Sequence, residues 1–197
     1  MKLILASKSA ARQAMLEAVG LSFETAAGDL DEEAEKEKLK ANKVKAAGLA
    51  SALAEWKALS VAANGYDLVL GADQTLERDD GNMLDKPSSR DDAMTQLKSL
   101  SGRTHHLHAA AVIVEAGRAI WRHTETVALT MRPLSDAFLR AYLKREYEAI
   151  RHNVGCYRIE GPGVQLFERI EGSHFAILGL PLLPLLAYLR ERGVVAS

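Results

Sequence analysis

The sequence contains a single cysteine, Cys156, and no long apolar run. One cysteine excludes a disulfide within the chain and agrees with a reducing cytosol. No stretch approaches the ~20 apolar residues of a membrane-spanning helix, and the apolar run in the first residues, MKLILASKS, is too short for a secretory signal peptide. We therefore expect a cytoplasmic protein that has no membrane partner.

An excess of charge of either sign is also absent, because 25 basic residues face 26 acidic ones and the net charge is −1. No overall field therefore attracts the chain to nucleic acid or to an anionic membrane. A platform of interleaved aromatic and basic residues, which single-stranded nucleic acid requires, is missing as well. We expect no nucleic-acid partner, and any phosphate ligand must be bound by basic residues placed locally.

Internal repeats and low-complexity linkers are absent too, and predicted strands and helices interleave along the chain. Hydrophobic residues make up 48% and charged residues 26%, which is the balance of an ordinary globular protein. The length of 197 residues fits one generous domain or two small ones. We predict a single α/β domain over residues 1–197, with a mixed sheet and flanking helices.

Residues 67–87, DLVLGADQTLERDDGNMLDKP, form the segment with the most evident chemistry. The apolar run predicts a buried strand that delivers Asp73 to the edge of a sheet. Turn-forming residues at 79–82 predict a hairpin whose return arm presents Lys86. A carboxylate that binds a divalent cation, beside a lysine that binds phosphate, is the minimum equipment for phosphoanhydride chemistry. A solvated hairpin with ordinary charges is the alternative interpretation.

The start of the chain predicts a second group of polar side chains at a strand-to-helix turn. Residues 2–6 predict a buried strand, and Ser9 is the expected cap of a helix that ends near Gly20. Ser7 and Arg12 flank this helix start, where backbone N–H groups attract anions. A capped helix with a solvated Arg12 is the alternative interpretation.

An acidic run at residues 29–35 precedes a segment with helical apolar spacing over residues 34–59. Acidic runs are usually solvated helix starts, although one or two of these carboxylates could complete a metal site with Asp73. The spacing predicts one helix that carries Lys43 and Lys45. Because successive helical side chains point in different directions, only one of these lysines is expected to face a site.

The remaining patterns predict alternating strands and helices in the rest of the chain. We expect strands at 21–27, 106–114, 119–132 and 164–170, and helices after Ser88 or Ser89, after Ser135 and after Pro181. A glycine-rich loop at 153–163 contains Arg158 and Glu160. His105, His106 and His108 lack the partners of a familiar zinc pattern, and we interpret them as structural.

Seven short motifs follow one another along the chain. They are LASKSAAR near the start, the acids Asp31 and Glu32, the lysine segment around Lys45, GADQ at Asp73, DKP at Lys86, SGRTH at Ser101, and EG with LFERIEG and GLPL towards the end. In this order the motifs resemble the Maf family of cytoplasmic nucleotide pyrophosphatases over nearly the whole chain. The resemblance implies an elongated mixed α/β fold related to inosine triphosphate pyrophosphatases, with a central cleft between two lobes. It also implies a homodimer, since dimers are common in the family.

The same resemblance implies roles for individual residues. Asp73 matches the family's proton acceptor and metal-binding acid, and Glu32 matches its acidic partner. The positions taken to bind the triphosphate are Ser7, Arg12, Lys45 and Lys86, and Lys86 also belongs to the catalytic set. The implied reaction is hydrolysis of a nucleoside triphosphate to the monophosphate and pyrophosphate, with Mg²⁺ or Mn²⁺ bound by carboxylates and phosphate oxygens. Whether Asp73 removes the proton itself or only binds the metal stays open.

Departures from the family pattern concern the choice of nucleotide. Ala11 stands where a basic or aromatic residue is usual, and Gln74 and Glu160 look more like the 7-methyl-GTP branch than the dTTP/UTP branch. Glu160 is suited to accept hydrogen bonds from guanine, and a cationic methylated base would favour a nearby carboxylate further. The alternative is that Glu160 merely pairs with Arg158. A dTTP/UTP pyrophosphatase and a nucleotide-binding regulator of septum formation are the alternative functions.

Overall fold

The computed structural model describes residues 2–26, 28, 31–63, 65 and 67–196. These residues form a mixed α/β fold around one sheet, which confirms the predicted fold class. The strands are β1 (Leu3–Ala6), β2 (Glu24–Thr25), β3 (Leu68–Arg78), β4 (Met83–Leu84), β5 (Thr104–Glu115), β6 (Arg118–Met131) and β7 (Phe167–Glu171). The helices are α1 (Ala10–Ala18), α2 (Glu32–Ala41), α3 (Ala46–Leu59), α4 (Arg90–Leu100), α5 (Asp136–Ile150), α6 (His174–Ile177) and α7 (Leu182–Glu191).

The strand order in the sheet is β2-β1-β3-β5-β6-β7, and β4 pairs with β3 off this path. Strand β1 runs parallel to both β2 and β3, whereas β4 and β7 are antiparallel to their partners β3 and β6. The sheet is therefore mixed, as predicted. Among the described helices, none is both long and apolar enough to cross a membrane.

The chain divides into two compact units. The first unit consists of Met1–Gln74, His108–Glu125 and Ser173–Ser197, and the second of Thr75–Leu107 and Thr126–Gly172. Strands β3, β5 and β6 contribute residues to both units. The single domain over residues 1–197 stays a prediction beside this division.

Two apolar clusters in the core of the first unit use alternate residues of β1. Leu3 and Leu5 pack with buried side chains of α1 and α7, whereas Ile4 and Ala6 pack with Ala50, Ala54 and Ala58 of α3. Successive side chains of a strand point to opposite faces of the sheet, so one short apolar strand contributes to both clusters. This explains why residues 3–6 are uniformly apolar.

The second unit contains a buried aromatic group around His105. The ring Nε2 of His105 lies 2.8 Å from the hydroxyl of Tyr157, and Phe167 packs edge-on against the Tyr157 ring. The only cysteine, Cys156, is buried beside Gln96, and burial raises the pKa of its thiol to about 12. Such a thiol is inert at neutral pH. Cys156 and His105 are both buried within the second unit, which is typical of residues that stabilise the fold.

Three element predictions are wrong in detail. The single helix over residues 34–59 is two helices, because the backbone enters the left-handed region at Lys43, with φ of 56°. Helix α2 has no buried residue, so the apolar pattern that supports a helix begins only near α3. Lys43 and Lys45 therefore lie outside the helices, with Lys45 at the N-cap of α3.

Two predicted strands are also shorter than expected. The strand at 21–27 is reduced to Glu24–Thr25, and residue 27 lies outside the described residues. The strand at 164–170 begins only at Phe167, because Pro162–Leu166 forms a 3₁₀ helix. The predicted helix caps are confirmed. Ser9, Ser89 and Ser135 each accept a hydrogen bond from a backbone N–H of the first turn.

Candidate active site

Strand β3 carries Asp73 in its interior, which corrects the prediction that this residue lies at the edge of the sheet. Gly71 and Ala72 continue the strand beyond the apolar run, and buried Thr75 and Leu76 extend it further, so Asp73 is in the middle of 11 strand residues. β3 also has β1 and β5 as neighbours, which makes it an interior strand. Asp73 is buried as a consequence.

Helix α3 approaches β3 unusually closely at Gly71. A Cβ atom at this position would overlap the carbonyl oxygen of Ala54 and would lie 3.0 Å from the Cβ of Ala58. The absence of a side chain on Gly71, together with the alanines of α3, therefore allows the helix to pack directly on the strand. Because side chains two apart on a strand share a face, Asp73 points to the same side as α3.

The close packing brings Lys57 of α3 to Asp73. The Lys57 Nζ atom donates a hydrogen bond to Oδ1 of Asp73 at 2.5 Å and lies 3.0 Å from Oε1 of Glu32. The side chains of Lys57 and Asp73 are only 16% and 10% exposed. Glu32, in the first turn of α2, is thereby joined to Asp73 through one shared cation.

A second set of contacts surrounds the start of α1. The hydroxyl oxygen of Ser7 accepts hydrogen bonds from the Ser9 backbone N–H and from Nη1 of Arg12, both at 3.2 Å. Both lone pairs of this oxygen are used, so the Ser7 O–H group serves as a donor. Arg12 is buried, which contradicts the alternative of a solvated arginine.

Arg12, at the start of α1, interacts electrostatically with the carboxylates of Asp73 and Glu32. Burial lowers the pKa of the Arg12 guanidinium, and the negative charges of Asp73 and Glu32 oppose that shift. Two cations, Arg12 and Lys57, therefore balance two carboxylates within the first unit. Each charge in such a group has an opposite charge nearby, and the loss of one member would leave a buried charge uncompensated.

Two side chains of this region bind the segment before α7. Nε of Arg12 donates to the carbonyl of Gly179 at 2.8 Å. The Gln74 side-chain amide donates to the carbonyls of Ala176 at 2.8 Å and Ile177 at 3.1 Å. Gln74 thus satisfies carbonyl groups at the end of α6, and its predicted role in base selection stays a prediction.

Two further predicted site residues also lie in the first unit. Lys45 is exposed at the N-cap of α3, where its backbone carbonyl accepts from the Leu49 N–H. Ala11 is partly exposed in the first turn of α1, next to Arg12. Their proposed contacts with phosphate and base stay predictions.

Lys86 belongs to the second unit, on the return arm of the predicted hairpin. Leu76 pairs with Leu84 in antiparallel fashion, and the turn between the two strands contains Gly81 with φ of 81°. Lys86 follows β4 by two residues and is exposed. The hairpin itself is confirmed, whereas the proximity of Lys86 to Asp73 stays a prediction.

Glu160 lies in the same unit, in the loop after α5. The ion pair of its neighbour Arg158 is made with the buried Glu146, at 2.9 Å, and Glu160 is exposed and acts on Arg158 as a nearby charge. Burial raises the pKa of Glu146, but hydrogen bonds from Arg158 and Arg145 outweigh this effect and lower the pKa overall. The charge of Arg158 is thus largely neutralised by a residue other than Glu160.

The carboxylates of Glu32 and Asp73 fit a hard divalent cation. Among the described residues, no group of three or more histidine, cysteine or acidic side chains could bind a metal by itself. However, Glu32 and Asp73 already converge on one cation, the Lys57 ammonium. Mg²⁺ is commonly bound by one or two carboxylates together with substrate phosphates and water, so Glu32 and Asp73 can be the protein ligands of such an ion.

Lys57 is the residue of this site that sequence reasoning missed. It occupies the last turn of a helix, where lysine is common because the cation interacts favourably with the helix dipole, and no motif marks it. The sequence nevertheless contains one pattern that indicates the position of Lys57. Gly71 two residues before Asp73, and the alanines at intervals of four in α3, indicate a close helix–strand contact that would bring neighbouring polar groups together.

Comparison with known proteins gives matches along nearly the whole chain. A family model described as Maf, Maf-like protein, matches residues 2–192. A nucleoside triphosphate pyrophosphatase of Sphingopyxis alaskensis is 48% identical over 195 residues, 98% of each chain. One of Caulobacter vibrioides is 48% identical over 191 residues, 97% of this chain and 96% of that protein. A 7-methyl-GTP pyrophosphatase of Rhizobium meliloti is 47% identical over 194 residues, 98% of this chain and 97% of that protein.

Proposed function

Because the chain belongs to the Maf family, we propose that it hydrolyses nucleoside triphosphates to the nucleoside monophosphate and pyrophosphate. The observation that carries this proposal is the balanced group of Arg12, Lys57, Glu32 and Asp73 in the first unit. It combines a buried guanidinium for a polyphosphate, that of Arg12, with the carboxylates of Asp73 and Glu32 for a metal or a proton.

In this proposal the start of α1 binds the triphosphate. The Ser7 O–H group donates to a phosphate oxygen, and the backbone N–H groups at the first turn of α1 add further donors. Arg12 is held by the Gly179 carbonyl and by Ser7, so its charge needs no reorganisation when the pyrophosphate leaves. Lys45 and Lys86 supply additional positive charge for the departing group.

Water attacks the α-phosphorus, a new P–O bond forms, and the bond from the α-phosphorus to the bridging oxygen breaks to release pyrophosphate. Asp73 is the carboxylate that accepts the proton of this water, or else it acts as a metal ligand together with Glu32. A Mg²⁺ or Mn²⁺ ion bound by these two residues would supply Lewis-acid polarisation of the phosphate and a more acidic water. Burial of Asp73 excludes competing solvent from its carboxylate.

We further propose a preference for a methylated guanine nucleotide. Relatives that bear the name 7-methyl-GTP pyrophosphatase are nearly as similar to this chain as those with the general name. Glu160 supports the preference, because it is exposed while Arg158 is engaged by Glu146. Its carboxylate can therefore accept hydrogen bonds from a guanine edge.

A panel of nucleoside triphosphates with Mg²⁺ or Mn²⁺ and detection of pyrophosphate tests the proposal. We expect release of pyrophosphate from at least one nucleotide, with 7-methyl-GTP ranked first. In the same panel, Glu160→Gln should change the ranking. A uniform effect on every nucleotide would show that Glu160 does not contact the base, and no release from any nucleotide would refute the enzymatic function.

Asp73→Asn provides the corresponding test of mechanism. The variant keeps the size of the side chain but loses its charge, so we expect kcat to fall by about 10²–10⁴-fold, the range for removing a general acid or base. Asp136→Asn is the matched control, since Asp136 also pairs with a lysine, Lys98 at 2.8 Å, but on an exposed surface of the second unit. Retained activity in Asp73→Asn, with folding verified by circular dichroism, would remove Asp73 from the reaction.

A further inference from the structure

Lys57 has no part in the reaction described so far, although it contacts both carboxylates of the site. Its ammonium is 2.5 Å from Oδ1 of Asp73 and 3.0 Å from Oε1 of Glu32. With 16% of its side chain exposed, this lysine differs from the ordinary lysines of a helix surface, which extend into solvent. A cation held by two carboxylates at these distances neutralises much of their charge.

The position of Lys57 is fixed by backbone packing. Gly71 allows Ala54 and Ala58 of α3 to lie against β3, and Lys57 is located between these alanines in sequence, in the last turn of the helix. Its charge also interacts favourably with the negative end of the helix dipole. The packing of α3 on β3 therefore keeps the backbone of Lys57 within reach of Asp73.

We infer that Lys57 is the resident counter-ion of the Glu32–Asp73 pair, and that a divalent cation binds this pair by displacing the Lys57 ammonium. The inference rests on the proposed function, because that function brings the metal to these carboxylates. A metal bound to the same two groups would lie within a few ångströms of the ammonium. Like charges so close together repel strongly wherever solvent screening is weak.

The role of Lys57 determines whether its removal raises or lowers the affinity of the site for a divalent cation. If Lys57 competes with the metal, removing its charge increases the affinity of the site for a divalent cation. If Lys57 instead only positions the carboxylates for the metal, its removal lets them move apart and decreases the affinity. A lysine that plays no part in metal binding leaves the affinity unchanged.

Titration with Mn²⁺, followed by the electron paramagnetic resonance signal of the free ion, measures this affinity without substrate. We expect the Kd of Lys57→Met to be lower than that of the wild-type chain by at least about tenfold, given the strength of charge repulsion at such distances. Lys98→Met is the matched control, because Lys98 also lies in the last turn of a helix and pairs with an aspartate, Asp136. Its Kd for Mn²⁺ should equal that of the wild type.

Two more variants make the result specific. Lys57→Gln removes the charge with a polar side chain and replaces Lys57→Met if the latter does not fold. Adding Asp73→Asn to Lys57→Met should abolish the gain in affinity, which assigns the gain to this carboxylate. Equal or weaker Mn²⁺ binding in the neutral Lys57 variants, or no binding in any of these proteins, would overturn the inference. The nucleotide panel is measured separately, so failure here is distinguishable from failure of the proposed hydrolysis.

Discussion

Arg12 is one of the buried charged residues of the first unit. Two nitrogens of its guanidinium bond to different partners, the carbonyl of Gly179 and the hydroxyl of Ser7. A lysine carries the same charge but has a single nitrogen at the end of a flexible chain. The geometry of the guanidinium, rather than its charge alone, therefore determines which residue this position accepts.

For Arg12→Lys we expect kcat/KM with the best nucleotide to fall by about 10²-fold, the usual consequence of misplacing a contact group by about 1 Å. Steady-state kinetics with pyrophosphate detection measures the change. Arg122→Lys is the control, because Arg122 makes a two-bond ion pair with Glu55 on an exposed surface of the same unit. If both substitutions reduce kcat/KM equally, the role proposed for Arg12 is wrong.

His105 makes the stability of the protein depend on acidity. Burial lowers the pKa of this imidazole from 6.5 to about 4. In the unfolded chain the ring takes up a proton below pH 6.5, whereas in the folded protein it stays neutral down to about pH 4. Stability from this residue is therefore complete above pH 6.5, decreases as the pH falls towards 4, and changes no further below that.

The shift of His105 corresponds to roughly 3 kcal/mol of unfolding free energy lost between pH 6.5 and pH 4, at about 1.4 kcal/mol per pH unit. Urea unfolding of the wild type and of His105→Gln across this range should show a shallower pH dependence in the variant. His152→Gln, at an exposed histidine of the same unit, should keep the dependence of the wild type. Parallel curves for all three proteins would contradict the assignment.

At the scale of elements, the contact between α3 and β3 brings the charged residues of the candidate site together. The two elements touch at Gly71, where no side chain separates them, and the contact sets the distance between Lys57 and Asp73. A side chain at Gly71 would therefore change both the stability of the first unit and the geometry of its charged group.

For Gly71→Ala we expect the free energy of unfolding to decrease by about 1–3 kcal/mol, the range for an overpacked core position. Urea unfolding measures this loss. Gly65→Ala is the matched control, since a Cβ atom there would meet nothing within 4 Å, and its effect should stay within about 0.5 kcal/mol. A Gly71→Ala protein as stable as the control would show that α3 moves away from β3 without cost.

Helix starts and helix interruptions differ in how well the sequence predicts them. The caps at Ser9, Ser89 and Ser135 are confirmed, because a cap depends on a serine and on residues within the next turn. The break between α2 and α3 was missed, because Lys43 adopts a left-handed conformation that its residue type does not favour. Lys43 ends α2 in a Schellman-type cap, in which the N–H of Val44 donates to the carbonyl of Leu39 at 3.3 Å and the N–H of Lys43 to that of Lys40 at 2.8 Å.

At the scale of the whole molecule, resemblance to the family implies a homodimer, and this stays a prediction. Sedimentation velocity at micromolar concentration should give twice the mass of the chain. Because the net charge is −1, general electrostatic repulsion between two copies is small. We expect raising the salt concentration to leave the dimer intact, and a monomer at every concentration would contradict the prediction.

The sequence by itself determined most of the strands and helices, the mixed α/β class and the membership of a family, and it named most of the candidate site residues. These properties depend on neighbours in the chain or on motifs with fixed order. Buried strands show apolar runs, caps show serines, and the acid of GADQ is visible without any structure.

Tertiary structure decided which of these groups meet. Arg12 bonds to a carbonyl 167 positions away and Gln74 to one 102 positions away, and no local pattern predicts either contact. Lys57 reaches Asp73 only because a glycine in β3 lets α3 pack against the strand. Side chains from distant segments become neighbours when buried surfaces pack at high density, and this packing is a property of the whole fold.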